Sequence, residues 1–157
     1  MHPFEQLGGR LLVIFDGHCG LCDRAVRWLV ARDRGDRLRF AASASPLVAA
    51  LLERNGFSAT PEASAPGTIL VVTAPGEPAE RVLVRSAAVI ALLGELPRPW
   101  PAFAWVLGLV PMILRDAGYR LVARFRYRIW GRLESCPLPT PEQRGKFLES
   151  PRSISPD

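Results

Sequence analysis

The chain has 157 residues, 48% of them hydrophobic and 22% charged, a balance that fits one globular domain and excludes disorder of the whole chain. Fifteen Pro and thirteen Gly stay below the range of low-complexity chains, and three Cys are too few for a disulfide framework. The net charge of +5 comes from 19 Arg and one Lys against 15 acidic residues. The Arg are spread along the chain rather than gathered in one footprint, so no nucleic-acid partner is expected.

With only His2 and His18, no metal site is expected. The apolar run Leu11 to Phe15 is too short for a signal-peptide core. The longest uncharged stretch, Pro99 to Leu114, contains three Pro and falls short of the ~20 residues that span a bilayer. A cytoplasmic protein is expected, and there a Cys-x-x-Cys is catalytic or metal-binding rather than a structural disulfide.

In chain order, Leu11 to Phe15 reads as a buried strand that stops at the turn Asp16-Gly17. Cys22, Ala25, Val26, Leu29 and Val30 then recur with the spacing of one helix face. Leu38 to Ala42 reads as a second strand, and Pro46 to Asn55 as a helix with Ser45 as N-cap and Gly56 just past its end. Ser58 to Gly67 reads as a loop. Thr68 to Thr73 and Arg81 to Arg85 are two strands joined by the turn-rich Ala74-Pro75-Gly76-Glu77-Pro78, and Ser86 caps a helix running to about Leu96. This order, strand-helix-strand-helix-strand-strand-helix, predicts an α/β fold, a thioredoxin-like three-layer sandwich over residues 11–96.

A C-terminal helical extension is expected over 99–132, with helices Trp105 to Leu114 and Arg115 to Trp130 meeting at Pro111. Leu114, Leu121, Val122, Phe125 and Ile129 follow helical spacing and are expected to pack on the core. Peripheral contact of this hairpin with a membrane is the alternative, since six Arg lie between Arg115 and Arg132. Residues 137–157 are expected to be an irregular, Pro-rich tail, apart from a turn of helix after Thr140-Pro141-Glu142.

The strongest chemical signal is Asp16-Gly17-His18-Cys19-Gly20-Leu21-Cys22. Two residues between the cysteines bring both sulfurs to the first turn of a helix, where a disulfide can open and close. Unpaired N–H groups and the helix dipole favour a thiolate on Cys19, the expected nucleophile. Cys22 falls on the apolar stripe, so it should be buried and resolve a mixed disulfide. Asp16 is placed to take and return the proton of Cys22, or else caps the turn. His18 is a loop residue with no assigned catalytic role. Half a zinc site completed by His18 or Cys136 is the competing reading, yet no second Cys-x-x-Cys or His pair exists to close it. A phosphatase reading of Val13 to Gly17 fails because the second Asp it needs is His18.

This segment resembles the Asp-x-x-Cys-x-x-Cys signature of the DCC family of thiol-disulfide oxidoreductases. Supporting segments are Arg32-Asp33, Phe40-Ala41, Val84-Arg85-Ser86, Arg115-Asp116, Arg126-Tyr127 and Cys136-Pro137-Leu138-Pro139. The resemblance implies a thioredoxin-like fold and a dithiol-disulfide activity for Cys19 and Cys22, with Asp16 as third signature residue. It implies a protein or small-molecule thiol or disulfide as substrate. Ala87 departs from the Asp that members often carry after the Ser. Pro66 is followed by Gly67, whereas thioredoxins proper place a cis-Pro directly before the third strand. Cys136 is expected to stand outside the redox pair, and no cofactor is expected.

Overall fold

The computed structural model of the chain describes residues 4, 7–15, 20–43, 45–57, 69–131 and 144–148. β1, Leu11–Phe15, is buried along its whole length, as a continuous apolar run in a central strand must be. α1 spans Gly20–Arg32 and β2 spans Leu38–Ala42. α2, Pro46–Arg54, has Ser45 in the N-cap position and Pro46 just inside. The Ser45 side chain makes no cap hydrogen bond, and the Pro supplies no N–H to satisfy.

β3, Leu70–Thr73, and β4, Arg81–Leu83, form the expected hairpin. Glu80 ties its turn to α2, accepting hydrogen bonds from Arg54, Asn55 and the Gly76 N–H. Gly76 has φ +84°, a conformation that glycine adopts without a Cβ clash. The sheet order is β2-β1-β3-β4, with β1 parallel to β2 and antiparallel to β3, and β3 antiparallel to β4. With the helices this is the thioredoxin-like arrangement.

Strand alternation builds two cores. Leu11, Val13 and Phe15 point to one face with Val26 and Leu29 of α1 and Ala88 and Leu92 of α3, Arg85–Glu95. Leu12 and Ile14 point to the other, with Val48, Leu51 and Leu52 of α2. Each such fully buried aliphatic side chain contributes about 1.5–3 kcal/mol by leaving water, so the three layers hold β1 in a fixed place.

α3 departs from expectation at its start. Val84, not Ser86, is the N-cap residue, and Ser86 lies inside the first turn. α4 spans Trp100–Leu109 and α5 spans Met112–Trp130, so the first helix of the extension starts five residues before the predicted Trp105. Pro101 is tolerated there because the first helical N–H groups have no partner inside the helix. Pro111 sits at the junction, as predicted.

The expected burial of the α5 stripe is overturned. Leu114, Leu121, Val122 and Ile129 are exposed, while Arg115, Asp116 and Tyr119 lie on the more covered side. α5 lies against α1 and α3 and is tied by hydrogen bonds between Asp116 and Ser86 of α3 and between Tyr119 and Ile69, just before β3. The turn of helix expected after Thr140-Pro141-Glu142 is found at residues 144–146. Arg144–Lys146 forms a short 3-10 helix, followed by an isolated parallel bridge between Phe147 and Phe40 of β2.

Candidate active site

The signature segment joins two fixed ends. β1 ends at Phe15 and α1 begins at Gly20, on the same side of the sheet as α3. Asp16, Gly17, His18 and Cys19 lie between them, outside the described residues, as do Pro66 and Cys136. Cys22, the third residue of α1, is 3% exposed. It shares its face with Val26 and Leu29, which follows from the helical spacing read in the sequence. Its sulfur is thus presented to the protein interior within the first turn of the helix.

α5 and the glycine that follows it supply three contacts around this end of the fold. The Gly20 N–H, the first of α1, donates to the Gly131 carbonyl at 3.3 Å. Gly131 has φ +76°, the left-handed turn that commonly ends a helix and that a residue with Cβ would resist. Tyr119 accepts a hydrogen bond from the Ile69 N–H at 3.2 Å, just before β3. Asp116 accepts from the Ser86 hydroxyl and, at 3.3 Å, from the Ser86 N–H at the start of α3. The Ser86 hydrogen bond outweighs burial and, with Arg85 and Arg120 nearby, holds the Asp116 carboxyl below the usual carboxylate range.

Two of the supporting segments, Val84-Arg85-Ser86 and Arg115-Asp116, are therefore one contact in space. Arg85 has φ +55°, an unusual value for a residue other than glycine, next to the Ser86–Asp116 pair. Ala87 follows Ser86 in α3, and the acid that meets this turn is Asp116. A third segment, Arg32-Asp33, is structural. Buried Asp33 accepts from the Arg37 and Leu38 N–H groups at 2.8 and 3.1 Å and from Lys146. Phe40 and Ala41 belong to the two cores, and the Cys136 segment lies outside the described residues.

Sequence reasoning missed Tyr119 and the use made of Asp116 and Gly131. Gly131 carried a signal, since a glycine just past a periodic segment is a common helix stop. Nothing local marks Tyr119 or Asp116, because their partners are 50 and 30 residues away. Among the described residues no three His, Cys, Asp or Glu side chains gather as a metal site. His18, Cys19 and Cys136, weighed above for zinc, are not among them.

Comparison with known proteins places these features in a wider group. The family model described as DCC1-like thiol-disulfide oxidoreductase matches residues 13–132. The chain is 31% identical over 144 residues to the uncharacterized protein YuxK of Bacillus subtilis (strain 168), covering 92% of this chain and 97% of that one. It is 33% identical over 135 residues to the chloroplastic DCC family protein At1g52590 of Arabidopsis thaliana, covering 86% of this chain and 73% of that protein. No solved structure matches the chain.

Proposed function

The chain belongs to the DCC1-like thiol-disulfide oxidoreductase family, and from that membership we propose that it exchanges disulfides with a thiol or disulfide substrate through Cys19 and Cys22. The observation that carries the reading is the placement of Cys22, buried in the first turn of a helix whose first residue directly follows Cys19.

In the reducing direction the Cys19 thiolate attacks one sulfur of a substrate disulfide. The substrate S–S bond breaks, one substrate thiolate leaves, and a mixed disulfide forms at Cys19. Asp16 takes the Cys22 proton, and the Cys22 thiolate attacks the Cys19 sulfur. The second substrate thiol leaves, and two electrons have passed from the dithiol to the substrate. Oxidation of a substrate dithiol runs through the same steps reversed. The direction in use follows from the reduction potential of the pair against that of its partner.

The test is a redox titration in glutathione buffers read by thiol alkylation, with iodoacetamide labelling of the reduced protein against pH. A reversible two-electron Cys19–Cys22 couple is expected, with Cys19 labelled first and at lower pH. Cys19→Ser should abolish exchange, and Cys136→Ser should keep its rate. About one zinc per chain with both cysteines unreactive would overturn the redox reading in favour of a metal-binding module. Preferential labelling of Cys22 would reverse the assignment of roles.

A further inference from the structure

From Pro99 to Leu114 the chain carries no charge, and the bend between α4 and α5 is open to solvent. Ile113 is 81% exposed and Trp105 69%, with Leu109, Val110, Met112 and Leu114 exposed beside them. In α4 only Ala104 is buried. A contiguous apolar surface of this kind on a folded chain marks an interaction site.

Charge identifies the partner. Arg120, Arg124 and Arg128 recur at i, i+4 and i+8 on exposed positions of α5. Helical geometry at 100° per residue sets this row beside the arc formed by Leu114, Leu121, Val122 and Ile129. An exposed apolar arc edged by arginines is complementary to a lipid surface, with acyl chains below and anionic phosphates above. No single helix is long and apolar enough to cross a membrane; the two together reach that length and composition but are bent by 115° between them, so an interfacial position suits them. A second copy pairing through the same face about a two-fold axis would use the same patch on both subunits and bring like Arg rows close.

We propose that the α4–α5 hairpin docks the protein on an anionic lipid membrane, with the bend around Trp105 and Ile113 seated among the upper acyl chains and Arg120, Arg124 and Arg128 against lipid phosphates. The docking does not depend on the redox reading, and a Cys19→Ser protein binds equally.

The experiment is co-sedimentation of the full chain with phosphatidylcholine vesicles, with and without phosphatidylglycerol, at low and high salt. Binding to the anionic vesicles alone is expected, weakened by salt. The exposed substitution Ile113→Asp and, separately, the triple change of Arg120, Arg124 and Arg128 to Gln should each weaken it roughly tenfold or more. Far-UV circular dichroism checks folding, and the Arg variant keeps the test open if Ile113→Asp unfolds. No binding to anionic vesicles overturns the proposal. If a dimer that Ile113→Asp dissociates is then found by sedimentation, the occupant is a second copy. Equal binding to both vesicle types, indifferent to the Arg changes, also overturns it.

Discussion

Asp33 shows how much one side chain can join. It follows the last residue of α1, and its carboxylate receives the N–H groups of Arg37 and Leu38, so the turn into β2 closes on it. Lys146, the one lysine of the chain, reaches it from the far C-terminal segment. Asp33→Ala leaves two backbone donors without their acceptor and takes one partner from Lys146, which keeps the Asp33 carbonyl and Asp36. A loss of about 2–6 kcal/mol is expected, at about 1–3 kcal/mol for each unsatisfied buried donor. Lys146→Met should cost less, about 1–3 kcal/mol, because Asp33 keeps its backbone donors. Urea unfolding of both single variants and the double variant checks this, with the double change expected to cost less than the sum. Asp36 makes a contrast. Its hydrogen bond from Arg39 holds its carboxyl far below the usual range, but the side chain is half exposed and its ion pairs contribute little.

At the scale of the element, α5 is held by its polar side. Ser86 is buried, and its N–H and hydroxyl both depend on Asp116. Asp116→Asn is expected to cost about 1–3 kcal/mol at neutral pH through the weakened charge-assisted bonds. The sign with pH follows from the depressed native value of Asp116. Above the unfolded carboxyl value of about 3.9 the full contribution is present, and it is lost as the pH falls through the lower native value. Wild-type protein should therefore lose stability faster than Asp116→Asn on acidification below about pH 4. Urea midpoints of the two proteins should converge there, and a constant gap would show that the charge of Asp116 does not hold α3.

For the whole molecule, the C-terminal segment finishes the sheet. β2 is an edge strand, and an open edge invites pairing with other chains. Phe147 bridges to Phe40, stacks on its ring at 5.4 Å and meets Phe15 edge-on at 6.0 Å, while the Leu148 N–H donates to the Phe40 carbonyl. Removing the chain from Arg144 onward takes away these contacts and the Lys146 pair together. Loss of stability with a rise in concentration-dependent aggregation is expected, read by urea unfolding and light scattering. Phe147→Ala alone should cost about 2 kcal/mol, less than a fully buried Phe because this ring is partly exposed.

Local pattern by itself determined the core of this protein. β1 was legible because a central strand is apolar on both faces, and α1 because Cys22, Val26 and Leu29 share a helical face, which also foretold the burial of Cys22. The parallel pairing of the first two strands followed from the helix between them, and the hairpin from its turn chemistry, while the place of β3 beside β1 came from the structure. The tertiary structure alone decided the orientation of α5. Amphipathic spacing says that a helix has two faces, but not which one meets the core, and here the pairs Ser86–Asp116 and Ile69–Tyr119 turn the polar side inward. It also decided that Lys146 meets Asp33 from 113 residues away. Such contacts join donors and acceptors that are distant in the chain, and periodicity, which compares only near neighbours, carries no trace of them.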